Sequence, residues 1–180
     1  MEEIRFKLES FDGCALELDV QSRGRTERLI FEFDEPVPLG EDSLAIALST
    51  LCGTTFDSIS FGFPVSAEIQ EQIAGWTQSS VTAEETAEAE SRETKEPRAV
   101  LNFSGGLDSL ASKYLLGGEP TLVSLDFGGR FSRELEFFKR FDPAIVHTNL
   151  VDTSLRYNSW SFMGIGPLLL ADTIRDEFFA

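Results

Sequence analysis

The sequence predicts an α/β protein: a C-terminal domain on a parallel sheet, preceded by a small α+β domain with antiparallel strands. Three observations carry this. From Arg98 onward, apolar runs of strand length alternate with amphipathic runs of helix length, the order of right-handed βαβ units. Before residue 34, apolar and charged residues alternate, as in strands that bury one face. Between the two halves lies a glutamate-rich stretch with no apolar face. The expected division is a domain over residues 1–76, an acidic linker over 77–97 and an α/β domain over 98–180.

In chain order, Ile4, Phe6 and Leu8 open the first strand, Leu16, Leu18 and Val20 the second, and Leu29, Phe31 and Phe33 the third. Asp12-Gly13 supplies a tight turn and residues 22–25 a looser one, so the three form a meander. Pro36 and Pro38 end it, and Asp42-Ser43 opens a helix carrying Leu44, Ile46, Ala47, Leu48 and Leu51. A strand over 59–63 and a helix over 66–76 complete this unit. Residues 77–97 hold Val81 as their one large aliphatic side chain, too little apolar area to offset ordering entropy. Ala99-Val100-Leu101-Asn102-Phe103 is the next strand, followed by a helix through Leu107, Leu110, Ala111, Tyr114 and Leu115 that Gly117-Gly118 stops. A strand over 121–127, a helix over 132–141 and a strand over 144–150 follow. The last helix is expected to reach Phe179, starting near Phe162 or at Pro167.

The 180 residues are enough for a real core, and 42% hydrophobic with 26% charged residues is an ordinary globular balance. Fifteen basic against thirty-one acidic side chains give a net charge of −16. Such a field repels nucleic-acid phosphates, so no direct nucleic-acid binding is expected. Any polyanion must bind at a local device such as a metal or a helix N-terminus. Cys14, Cys52 and the lone His147 cannot make a four-ligand zinc site. The first residues lack an apolar signal core, and residues 157–171 are too short and too broken by Gly and Ser to span a bilayer. The expectation is a cytoplasmic protein with reduced thiols and no membrane partner.

The residues that carry chemistry are Ser104, Gly105, Gly106, Leu107, Asp108 and Ser109, placed between a strand and a helix. Two glycines let the backbone turn sharply and approach a ligand. The helix that follows presents unpaired N–H groups and a positive dipole end. Ser104 and Ser109 add hydroxyls, and Asp108 can hold the Mg2+ that accompanies a polyphosphate. The bland alternative is a capped Gly-rich turn with Ser104 as N-cap. Neither GxxxxGK[ST] nor GxGxxG is present.

These six residues match the SGGxDS signature of the N-type PP-loop ATP pyrophosphatases, and residues 98–180 resemble that superfamily. Val123-Ser124-Leu125-Asp126-Phe127-Gly128-Gly129-Arg130, then Arg133-Glu134-Leu135-Glu136, is similar to the second-strand segment of its cyano-deazaguanine synthase branch. That branch has Asp-Tyr-Gly-Gln-Arg here, so Phe127 stands for the tyrosine and Gly129 for the glutamine. Arg156-Tyr157-Asn158 resembles its Arg-Asn element with Tyr157 interposed, while its C-terminal cysteine cluster has no counterpart after Cys52. The chain stops inside an expected helix after three expected parallel strands, so the domain is expected to be incomplete at its C-terminus. A second copy or a partner would then cover that helix.

The resemblance implies ATP and Mg2+ as cofactors and a queuosine-synthase-like ligase activity. ATP would be cleaved to AMP and pyrophosphate, activating a carboxylate or amide oxygen of a small molecule or modified base for attack by a nitrogen nucleophile. It implies nucleotide contacts from the six loop residues, Asp126 and Phe127, with Ser104 and Asp108 catalytic and Asp108 the metal ligand. The rivals are a non-catalytic ATP-binding or assembly protein that retains the loop, and an α/β interaction module without nucleotide. Lys113 reads as part of a solvated face, and Trp160, Phe162 and Met163 as core. His147 reads as a packed or edge histidine, mid-strand and a poor general base.

Overall fold

The computed structural model describes residues 2–84, 98–117, 119–174 and 177–179. The chain starts as a meander of β1 (Glu3–Phe11), β2 (Ala15–Ser22) and β3 (Arg25–Phe33), paired antiparallel. The Asp12 carboxylate accepts the Cys14 and Ala15 N–H groups, each at 2.8 Å, which sets the first turn. Helix α1 (Glu41–Ser49), β4 (Ser58–Phe61), α2 (Ala67–Thr77) and β5 (Ser80–Ala83) follow, with β4 parallel to β1 and β5 parallel to β4. The second half runs β6 (Arg98–Asn102), α3 (Leu107–Leu115), β7 (Thr121–Asp126), α4 (Ser132–Phe138) and β8 (Ala144–Thr148). Short 3-10 turns then lead to α5 (Ile165–Leu169) and β9 (Glu177–Phe179).

Among the described residues, all nine strands form one sheet in the order β5-β4-β1-β2-β3-β8-β7-β6-β9. The architecture is α/β with a mixed, mostly parallel sheet: only β1–β2, β2–β3 and β3–β8 pair antiparallel. The β3–β8 ladder, Phe31↔Thr148 to Phe33↔Val146, joins the segments expected as separate domains into one sheet. One core also serves both, with Phe6, Phe31 and Leu48 in the same cluster as Val123, Val146 and Leu155.

Two further expectations change. Residues 77–84 are not the head of a linker. Helix α2 ends with Gln78 in a left-handed conformation, the Ser79 hydroxyl donates to the Phe56 carbonyl at 2.7 Å, and β5 completes the sheet edge. The remainder of the expected linker, 85–97, lies outside the described residues. Nor does a long helix reach Phe179. Helix α5 ends at Leu169, and Asp172 beyond it caps α1, accepting the Gly40 N–H at 2.7 Å and the Ser43 hydroxyl at 3.0 Å. The chain then returns as β9, parallel to β6.

The strand period of two divides the side chains of β6 and β7 between two layers. Val100, Val123 and Leu125 face Ile165 and Leu169 of α5, within the large core. Leu101, Phe103 and Leu122 face Leu110 of α3 and Phe141 in a smaller cluster. Gly166 is required where α5 meets the sheet: a Cβ there would lie 3.0 Å from Leu125 Cδ2 and 3.4 Å from Val123 Cγ1.

Candidate functional site

The parallel strands β8-β7-β6-β9 deliver the loops after β6, β7 and β8 to one edge of the sheet. The chain steps outward from β6 to β7 to β8, then crosses back to place β9 on the other side of β6. The order therefore reverses at β6, and in open α/β sheets ligands bind outside the strand C-termini at such a reversal. The loop that leaves β6 at this point contains Ser104, Gly105, Gly106, Leu107, Asp108 and Ser109.

Gly105 turns the loop with φ 71°, and Gly106, at φ −70°, is the N-cap of α3. No side chain caps this helix, so the alternative of a turn capped by Ser104 does not hold. Instead the Ser104 hydroxyl accepts the Gly106 N–H at 3.4 Å and donates to Ser109 Oγ at 3.4 Å, while Ser109 donates to the Gly106 carbonyl at 3.0 Å. Ser109 is 8% exposed, whereas Ser104, Leu107 and Asp108 are exposed. The first-turn N–H groups of a helix have no intrahelical acceptor, and here they face an open turn with a carboxylate and a hydroxyl beside them.

One strand over, Asp126 ends β7 and is buried. Its Oδ1 accepts the Gly128 N–H at 2.9 Å, and its Oδ2 lies 2.8 Å from His147 Nδ1. The other ring nitrogen, Nε2, lies 3.1 Å from Asp34 Oδ1 just beyond β3. An imidazole can satisfy two carboxylates at once only when both nitrogens carry protons. Burial disfavours that cation, but the hydrogen bonds to Asp126 and Asp34 outweigh it and hold the His147 pKa above its ordinary value.

His147, expected as a packed or edge histidine, is half-buried and held by two carboxylates. The register pairs it with Asp126 on β7 and with Glu32 on β3, which places it near the strand ends. Its partners, 21 and 113 positions away, were not visible in the sequence.

Phe127 follows Asp126 and meets Phe131 and Phe162 edge-on, with ring centroids 5.7 and 6.4 Å apart. Phe162 is core, as expected, but Trp160 is 85% exposed and stacks on it from outside. Lys113 sits in the last turn of α3, away from the loop. The expected site residues therefore occupy the ends of two adjacent parallel strands.

Among the described residues, no group of three or more His, Cys, Asp or Glu side chains converges as a metal site, and no helix is long and apolar enough to cross a membrane. A Mg2+ carried in by a polyphosphate needs no such cage, since one or two carboxylates and the phosphate oxygens suffice. Asp108 fits that role, beside the uncapped helix start. No protein-family model, curated protein or solved structure matches the chain.

Proposed function

We propose that this protein binds ATP·Mg2+ at the loop after β6 and uses it to adenylate an oxygen of a small-molecule substrate. The observation that carries the reading is a loop of SGGxDS sequence at the point where a parallel strand order reverses, with an uncapped helix behind it. In the reaction a carboxylate or amide oxygen attacks the α-phosphorus. The bond to the β-phosphate oxygen breaks, and pyrophosphate leaves with its electron pair. A nitrogen nucleophile then attacks the activated carbon and AMP departs. Loop N–H groups and the hydroxyls of Ser104 and Ser109 stabilise the charge that develops on pyrophosphate, and Asp108 would hold the Mg2+, which would neutralise part of that charge. Asp126 and Phe127 line the nucleoside side of the same edge.

A second reading, nucleotide binding without turnover, is favoured by Phe127 and Gly129 standing where the resembled synthases carry tyrosine and glutamine. Calorimetric titration of ATP into wild type, Ser104→Ala and Asp108→Asn, with Mg2+ and with EDTA, tests both readings' shared premise. Removing a hydroxyl donor to an anion lowers affinity by about one to two decades. Asp108→Asn should weaken ATP·Mg2+ far more than metal-free ATP. Equal affinities in all three proteins would refute the nucleotide site. Pyrophosphate release with candidate acids and ammonia then separates an enzyme from a binder.

A further inference from the structure

We propose a second ligand site on this protein, a pocket for a small organic anion (a carboxylate or phosphate monoester) carried on a flat apolar body. The pocket lies between the turn after β7 and the 3-10 turns after β8. It has a volume of about 450 Å³ and is lined by Phe127, Arg130, Phe131, Val151, Asp152 and Arg156, with Gly128 and Gly129 at its floor. None of the six residues from Ser104 to Ser109 lines it; it shares Phe127 with the proposed nucleoside contacts, but its two arginines have no part in that reading.

Charge is the first argument. Carboxylates outnumber cations about two to one in this chain, with thirty-one acidic against fifteen basic side chains, and Arg5, Arg23 and Arg28 each pair with one. Arg130 and Arg156 form no ion pair among the described residues, yet both face one pocket in which Asp152 is the only carboxylate among the described lining residues. Two cations against one anion leave the pocket positive on a strongly negative protein.

The second argument is orientation. The Arg156 guanidinium sits 4.5 Å from the centroid of the Tyr157 ring and donates to the Tyr157 hydroxyl. Arg130 lies 4.8 Å from the Phe131 ring centroid. Stacking on a ring fixes the plane of a guanidinium; Arg156 gives Nη2 to Tyr157 and keeps Nε and Nη1 to meet an acceptor. Arg156 Nε is buried with no hydrogen-bond partner. Such a donor calls for an acceptor, and an anion entering the pocket supplies one.

Shape is the third. Gly128 and Gly129 have φ 60° and 49°, and a Cβ on either would meet nothing within 4 Å. The floor is open because these positions carry no side chain, and the left-handed backbone keeps it so. Phe127, Phe131 and Val151 add an apolar wall beside the charges. Apolar walls with a few convergent polar groups characterise small-molecule pockets.

The test is titration of benzoate, phenyl phosphate and neutral benzyl alcohol into wild type, Arg130→Gln, Arg156→Gln, Arg156→Lys and the control Lys113→Gln. One of the anions should saturate, and which one does so separates a carboxylate from a phosphate source. Its affinity should fall by about tenfold or more in Arg130→Gln and Arg156→Gln, and not in Lys113→Gln. Arg156→Lys keeps the charge but loses the Nε donor, so it should bind more weakly than wild type. Arg130 is exposed, so its replacement keeps the test valid if the Arg156 variants fail to fold. Unchanged anion binding in Arg130→Gln, equal binding of benzyl alcohol, or no saturation by either anion would overturn the proposal.

Discussion

Replacing His147 by alanine should destabilise the protein in acid far more than in base. His147 is 31% exposed and its partner Asp126 only 9%, so their 2.8 Å contact is largely out of water. A hydrogen bond between charged groups contributes about 1.5–3 kcal/mol, and the arm to the exposed Asp34 adds less than about 1 kcal/mol. The folded-state pKa is raised, so this contribution is full below the ordinary histidine value and lost as pH rises through the folded one. At about pH 5.5 the variant should melt about 3–16 °C below wild type, given about 2–4 °C per kcal/mol for a chain of this size. At about pH 8.5 the gap should close to a few degrees, because a neutral imidazole makes only ordinary hydrogen bonds. His147 is the single histidine of the chain, so its proton NMR titration reports this pKa without assignment. A midpoint at or below about 6.5, or a stability gap that widens toward alkaline pH, would refute the Asp126–His147–Asp34 account.

Gly53 lies at φ 55°, and a Cβ there would fall 2.9 Å from Ser159 Cβ and 3.2 Å from the Asn158 carbonyl oxygen. Gly53→Ala should therefore cost about 1–3 kcal/mol in urea denaturation, and an unchanged midpoint would show that the 158–159 turn yields freely. Cys52 is fully buried, and burial pushes its thiol pKa up, whereas Cys14 is half-buried. Ellman's reagent should titrate about one thiol in the native protein and two in denaturant, and rapid native reaction of both would contradict the packing around α1.

The sequence made the local elements legible because they depend on near neighbours. The alternation Leu16, Leu18, Val20 produces β2 with its buried face as expected, and the Gly-Gly turn between β6 and α3 is local chemistry. What it hid were pairings fixed by distant partners. The β3–β8 ladder is chosen by geometry across more than a hundred positions, and nothing in Phe31-Glu32-Phe33 specifies Val146 and His147. Likewise Asp172 binds Gly40 and Ser43, which no window around residue 172 contains. The candidate site divides the same way. Its loop is a contiguous motif, whereas the Asp126–His147–Asp34 chain and the Arg130–Arg156 pocket exist only once three strand ends are side by side.

The seam between β3 and β8 also sets a timetable for synthesis. Ile30 donates its N–H to Asn149, 119 positions later. At roughly 5–20 residues per second, β3 waits roughly 6–24 s after emerging before its neighbour exists. For that interval it is a bare edge, able to add a strand from another nascent chain. Arg25, Glu27, Arg28 and Glu32 stud the strand with charge along its length, which deters such addition until β8 arrives to close it.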